Sequence, residues 1–127
     1  MRLVLAGTAG LLVGMLLVGS NAAAQRTATF KGEITDEKLV CINTPLKPTD
    51  YFRTGCVLNQ VHHMNPPSKY VLYDEKTKTV YHLDDQHLVQ PYAAAKVEVT
   101  GTLDAATKTI KVASIKTDDA AYRTGTR

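Results

Sequence analysis

The chain has 127 residues, 44% hydrophobic and 21% charged, with fifteen Lys and Arg against twelve Asp and Glu, four His, two Cys and no Trp. Average apolar content with scarce Cys describes one small folded domain and excludes a disordered polymer, a multi-span membrane protein, a repeat solenoid and a zinc-rich module. Cations are interleaved with acids from Arg26 to Arg127, so the charge pattern asks for no nucleic acid and no anionic membrane.

Residues 3–18 form an apolar run broken only by Gly7, Thr8, Gly10 and Gly14, with Arg2 as the single preceding cation. Gly19-Ser20-Asn21-Ala22-Ala23-Ala24 then supplies the small residues of an Ala-x-Ala cleavage site ahead of Gln25. Such a run rises about 24 Å at 1.5 Å per residue, short of the ~30 Å hydrocarbon core, so cleavage is favoured over a retained anchor. Residues 1–24 are therefore expected to be a signal peptide, leaving a periplasmic or secreted protein with no membrane span. Its removal takes away Arg2 and no acid, so the charge balance stays near neutral.

Phe30-Lys31-Gly32-Glu33-Ile34 alternates apolar or small with polar and predicts the first half-buried strand. From Asp36 to Ser68 no period is sustained and Pro45, Pro48, Pro66 and Pro67 interrupt the chain, which predicts a long irregular connection. A stretch of that length points to a functional loop, an insertion or an unrecognised short helix. Tyr70-Val71-Leu72-Tyr73 and Val80-Tyr81-His82-Leu83 read as strands through their β-branched and aromatic content. Asp84 and Asp85 then cap a short helix that stops near Pro91. Val97-Glu98-Val99-Thr100-Gly101-Thr102-Leu103 and Ile110-Lys111-Val112 give the last two strands, and the change of parity before Ile115 predicts a bulge near Ala113-Ser114.

The two hairpin turns share one sequence, Asp-x-x-Thr-Lys-Thr, at 74–79 and 104–109. They resemble the six-residue hairpin loop of immunoglobulin-binding bacterial domains, a likeness confined to those residues. Pairing Asp74 with Thr79 and Asp104 with Thr109 sets Leu72 opposite Tyr81, Tyr70 opposite Leu83 and Leu103 opposite Ile110, so turn chemistry and face pattern agree. The expected fold is all-β with one short helix: a five-stranded OB-like barrel in the order β1-β2-β3-α-β4-β5, over residues 25–116. Gly32 and Gly101 fall where a small barrel bends sharply, and residues 117–127 are expected to form a flexible tail.

Cys41 and Cys56, fifteen positions apart in an exported chain, are expected to form a disulfide; the functional alternative is a redox or metal-binding pair. Cys56, His62, His63 and Met64 collect soft and borderline ligand types that with Cys41 can hold copper or zinc, which makes a periplasmic metal-binding protein the competing reading. Against it, the same residues read as polar loop histidines with Met64 packed beneath. His82 and His87 flank Asp84 and Asp85, but those carboxylates are explained as capping and strand-ending groups. No nucleophile with a base, no Gly-rich phosphate loop and no cofactor motif is present, so no catalytic residue and no cofactor is assigned. Outward parity on the β2-β3 hairpin gives Val71, Tyr73, Val80 and His82, an apolar outer face. Tyr73 and His82 are the candidate ligand pair, suited to a small or peptidic envelope ligand, unless residues 36–68 cover them.

Residues 30–36, Tyr70-Val71-Leu72, the run 80–86, Pro91-Tyr92 and the run 96–103 together resemble a group of small exported bacterial domains of unknown function with an OB-like barrel. The likeness spans most of the chain after residue 24. That family often has Gly before β4, where this chain has Ala94 and Ala95, and further cysteines in the β1-β2 connection. The resemblance implies a fold and carries no activity. The expected function is a non-enzymatic binding or structural module of the cell envelope.

Overall fold

The computed structural model describes residues 26–44 and 50–120. The expected leader and its cleavage site, Pro45 and Pro48, and residues 121–127 lie outside the described residues. Five strands dominate: β1 (Thr27–Asp36), β2 (Tyr70–Asp74), β3 (Thr79–Leu83), β4 (Lys96–Asp104) and β5 (Thr109–Thr117). Among the described residues they are accompanied by the helices α1 (Val40–Asn43), α2 (Asp50–His62) and α3 (Gln86–Val89), the last running into a 3-10 turn at Gln90–Tyr92. Among the described residues no helix is long and apolar enough to cross a membrane.

The strands form one sheet whose ends meet, giving the ring β1-β2-β3-β5-β4. β1 runs antiparallel to β4 from Thr27↔Thr102 to Glu33↔Lys96 and antiparallel to β2 from Glu33↔Tyr73 to Asp36↔Tyr70. The ring closes through a short parallel contact of β3 with β5, His82↔Thr109 and Leu83↔Ile110. Asp84 extends that junction, its Oδ1 accepting from the Val112 amide at 2.8 Å.

Both hairpins adopt the register expected from their turns, with Asp74↔Thr79, Leu72↔Tyr81, Asp104↔Thr109 and Leu103↔Ile110. The two turns are near copies. Asp74 Oδ1 accepts from the Lys76 amide at 2.9 Å and Asp104 Oδ1 from the Ala106 amide at 3.0 Å, while Lys78 and Lys108 turn the chain at φ 56° and 55°. In β5 the register steps from Thr100↔Ser114 to Gly101↔Val112, leaving Ala113 as the bulged residue where parity required one. Gly101 permits the close approach there, since a Cβ on it would lie 2.2 Å from the Lys111 carbonyl oxygen.

The core inside the ring is built from Ile34, Tyr70, Leu72, Leu83, Val97, Val99 and Ile110, joined by Cys41 of α1, Val57 of α2 and Val89 of α3. The expected short helix stands at α3, where Asp85 caps by accepting from the Leu88 amide at 2.9 Å.

Of the alternatives for the segment 36–68 the helical one holds in part: its described residues carry α1 and the 13-residue α2 in place of an irregular connection throughout. Thr54, Val57, Leu58 and Val61 follow the i, i+3, i+4, i+7 spacing of one helical face, and all four are buried or half-buried. Tyr51 and Phe52, 82% and 62% exposed, break that apolar stripe in the sequence and conceal its period. α1 is started from outside itself, the Asp36 carboxylate accepting from the Val40 and Cys41 amides at 2.9 and 3.0 Å.

Candidate functional site

Glu33 is the corner of the ring, because it is the one β1 residue paired to both β4 (Lys96) and β2 (Tyr73). Adjacent Gly32 lets the strands meet there, since a Cβ on it would lie 2.4 Å from the Tyr73 carbonyl oxygen. β2 ends just beyond Tyr73 while β4 only begins at Lys96, so the two neighbours of β1 part and leave a notch of about 490 Å³. Tyr73 and Gly32 form part of its lining, Ile42 of α1 contributes an apolar wall, and Asp118 and Ala120 lie beyond the end of β5. Two other recesses, one between α2 and the Gln90–Ala93 turn and one at the ring mouth near Phe30 and Leu103, are more open.

Charge of both signs surrounds the notch. Lys31, Lys76 and Lys96 supply amines, and Glu33, Asp74, Glu75 and Asp118 supply carboxylates. Glu33 is buried, 8% exposed, and its charge is matched by Arg53 of α2, whose Nε lies 3.1 Å from Oε2. This is a charge contact without the alignment of a hydrogen bond. Lys31 is held on the outer surface by Glu98, Nζ to Oε1 3.7 Å, with Lys116 on the other oxygen at 3.6 Å. Asp118 is buried at the end of β5, its amide donating to the Lys96 carbonyl at 2.8 Å. The arrangement can bind a ligand that carries both charges on a short apolar body; it presents no nucleophile paired with a base.

The expected exposed pair is split. Tyr73 is 8% exposed and sits in the notch, whereas His82 remains at the surface with Nδ1 3.8 Å from Glu37 Oε2. Val71, on the same parity, is fully buried. The correction has a packing cause: α1 and α2 fold against β1, bringing Ile42 to the recess that holds Tyr73. His82 lies two pairs further along the hairpin, opposite Val71, and keeps its solvent.

Cys41 and Cys56 form a disulfide with an S–S distance of 2.09 Å and Cα atoms 5.8 Å apart. Neither is then a thiolate ligand. His62 Nε2 lies 3.0 Å from the Tyr70 hydroxyl, the His62 and His63 ring centroids are 6.5 Å apart, and Met64 Sδ is 3.9 Å from Asn59 Nδ2. Among the described residues no three His, Cys, Asp or Glu side chains gather into a metal-holding group. Burial raises the Tyr70 hydroxyl above its ordinary pKa of 10.0.

Glu33, Arg53, Ile42 and Asp118 escaped the sequence reading. Their only signal was an acid beside a strand glycine, Gly32-Glu33, whose partner arrives from twenty residues away on a helix without an obvious period.

Comparison of the chain with protein-family models, with curated proteins and with solved structures finds no significant match.

Proposed function

We propose that this protein is an exported, non-enzymatic binding module of the cell envelope, and that the notch at the β1 corner takes a short peptide segment bearing both an ammonium and a carboxylate group. The observation that carries the reading is the combination in one recess of the Tyr73 ring and Ile42 with amines from Lys76 and Lys96 and carboxylates from Asp74 and Glu75. An apolar lining with few convergent polar groups is the usual composition of a small-ligand site. Mixed charge favours a zwitterion over a neutral sugar and over a polyanion.

The five-strand ring is read as an OB-like barrel in the order β1-β2-β3-α-β4-β5, in keeping with the resemblance to small exported bacterial domains of that fold. The Cys41–Cys56 disulfide supports residence in an oxidising compartment, in line with the expected leader over residues 1–24. The fold itself assigns no activity.

The test is an NMR titration of the disulfide-bonded protein with trialanine, and with N-acetylglucosamine as the comparison ligand. Trialanine should move the amide resonances of Gly32, Tyr73 and Lys96 and leave His82 in place. Unmoved notch resonances with trialanine overturn the site, and movement with the sugar alone overturns the ligand class.

A further inference from the structure

Two residues that line the notch, Ile42 and Glu33, lead to the same covalent bond, Glu33 through its partner Arg53. Ile42, which lines the recess, is the residue after Cys41. Arg53, which meets Glu33 at 3.1 Å, lies three residues before Cys56 and so close to it along α2. Neither α1, with four residues, nor α2 pairs with the sheet through strand hydrogen bonds. The Cys41–Cys56 bond joins the two helices directly. The ring itself is closed by strand pairing and contains no cysteine.

We infer that the Cys41–Cys56 disulfide is a redox device of the notch, holding Ile42 in its lining and Arg53 against Glu33, so that the oxidised protein has an assembled recess and the reduced protein keeps the ring but loses it. Arg53 is on this account a positioning residue that acts through Glu33. The inference rests on the proposed role of the notch as a ligand site. The chemistry is thiol–disulfide exchange with a dithiol: the S–S bond breaks, Cys41 and Cys56 gain two electrons and two protons between them, and the dithiol becomes a disulfide.

Two features make the coupling one-sided. Cys41 is fully buried within the core cluster, and its amide is already held by Asp36, so α1 retains one anchor after reduction. Ile42 is only half-buried, and Arg53 meets Glu33 as a charge contact without the alignment of a hydrogen bond, so the notch side is held less firmly than Cys41.

The experiment is to reduce the full protein with dithiothreitol, verify the gain of two hydrogens by mass spectrometry, and record amide spectra with and without trialanine. Reduction should shift Gly32, Glu33, Ile42 and Tyr73, leave Val99 and Ile110 protected from exchange, and weaken trialanine binding at least tenfold. Arg53→Gln with the disulfide intact should reproduce the shifts at Glu33 and Tyr73. Notch resonances that stay put on complete reduction overturn the device, as does global unfolding, which would make the bridge a general support of the fold. A silent Arg53→Gln variant overturns the route through Glu33. Absence of trialanine binding to the oxidised protein instead refutes the ligand reading, and the ligand-free shifts still decide the redox coupling.

Discussion

The side chain of Gln86 pairs with the backbone of Tyr70 as a strand would: Oε1 accepts from the Tyr70 amide at 2.8 Å while Nε2 donates to the Tyr70 carbonyl at 3.0 Å. The same Nε2 donates to the Leu83 carbonyl at 3.0 Å, so one amide group ties the start of β2 to the end of β3 and to the helix that follows. Gln86→Ala leaves these part-buried backbone groups without partners and should cost about 1–3 kcal/mol in urea unfolding. Gln86→Glu keeps the acceptor, loses both donated bonds, and should fall in the same range.

Glycine-to-alanine substitutions should have opposite signs at different sites. Gly101→Ala and Gly32→Ala place a Cβ within 2.2 and 2.4 Å of backbone carbonyl oxygens and should each destabilise by about 1–3 kcal/mol or more. Gly55 lies within α2 with nothing within 4 Å of its added Cβ, so Gly55→Ala should stabilise by about 0.5–1 kcal/mol. Thermal melts of the three variants check this directly.

Alkaline pH should weaken the fold through Tyr70. Burial raises its pKa in the folded state above 10.0, so the unfolded chain gives up the proton first as pH rises. The contribution of the protonated hydroxyl is complete below pH 10 and is lost as pH climbs through the folded-state value. Tyr70→Phe should therefore flatten the decline of stability above pH 10, measured as urea midpoints across that range. An unchanged slope would locate the alkaline loss elsewhere.

Core and helix-end substitutions should separate clearly. Val99 and Ile110 are fully buried inside the ring, and Val99→Ala or Ile110→Ala should cost roughly 1–4 kcal/mol through lost burial and a residual cavity. His63 is exposed, and His63→Ala should change stability by less than about 0.5 kcal/mol. Comparable losses for all three would make the end of α2 part of the core.

Strands, turns and register were legible because each is set locally. The repeated Asp-x-x-Thr-Lys-Thr turn pins both hairpins, and the β5 bulge follows from the parity of Ile110, Val112 and Ile115. α2 was hidden because Tyr51 and Phe52 remain exposed beside the buried stripe of Val57, Leu58 and Val61. Parity separates Tyr73 from Tyr70 and Leu72, but it cannot tell whether an outward face meets water or another element, and Tyr73 is buried.

The sequence alone determined the β-strands, the two hairpins with their pairing partners and the short helix before Pro91, since hydrophobic period and turn chemistry act over a few residues. Only the tertiary structure decided that β1 turns its corner at Glu33, that Arg53 arrives there from α2, and that Tyr73 lies in a recess beside Ile42 while His82 stays outside. Those relationships join segments from twenty to more than sixty residues apart, whose meeting is fixed by ring closure and helix packing and leaves no periodic trace in the chain.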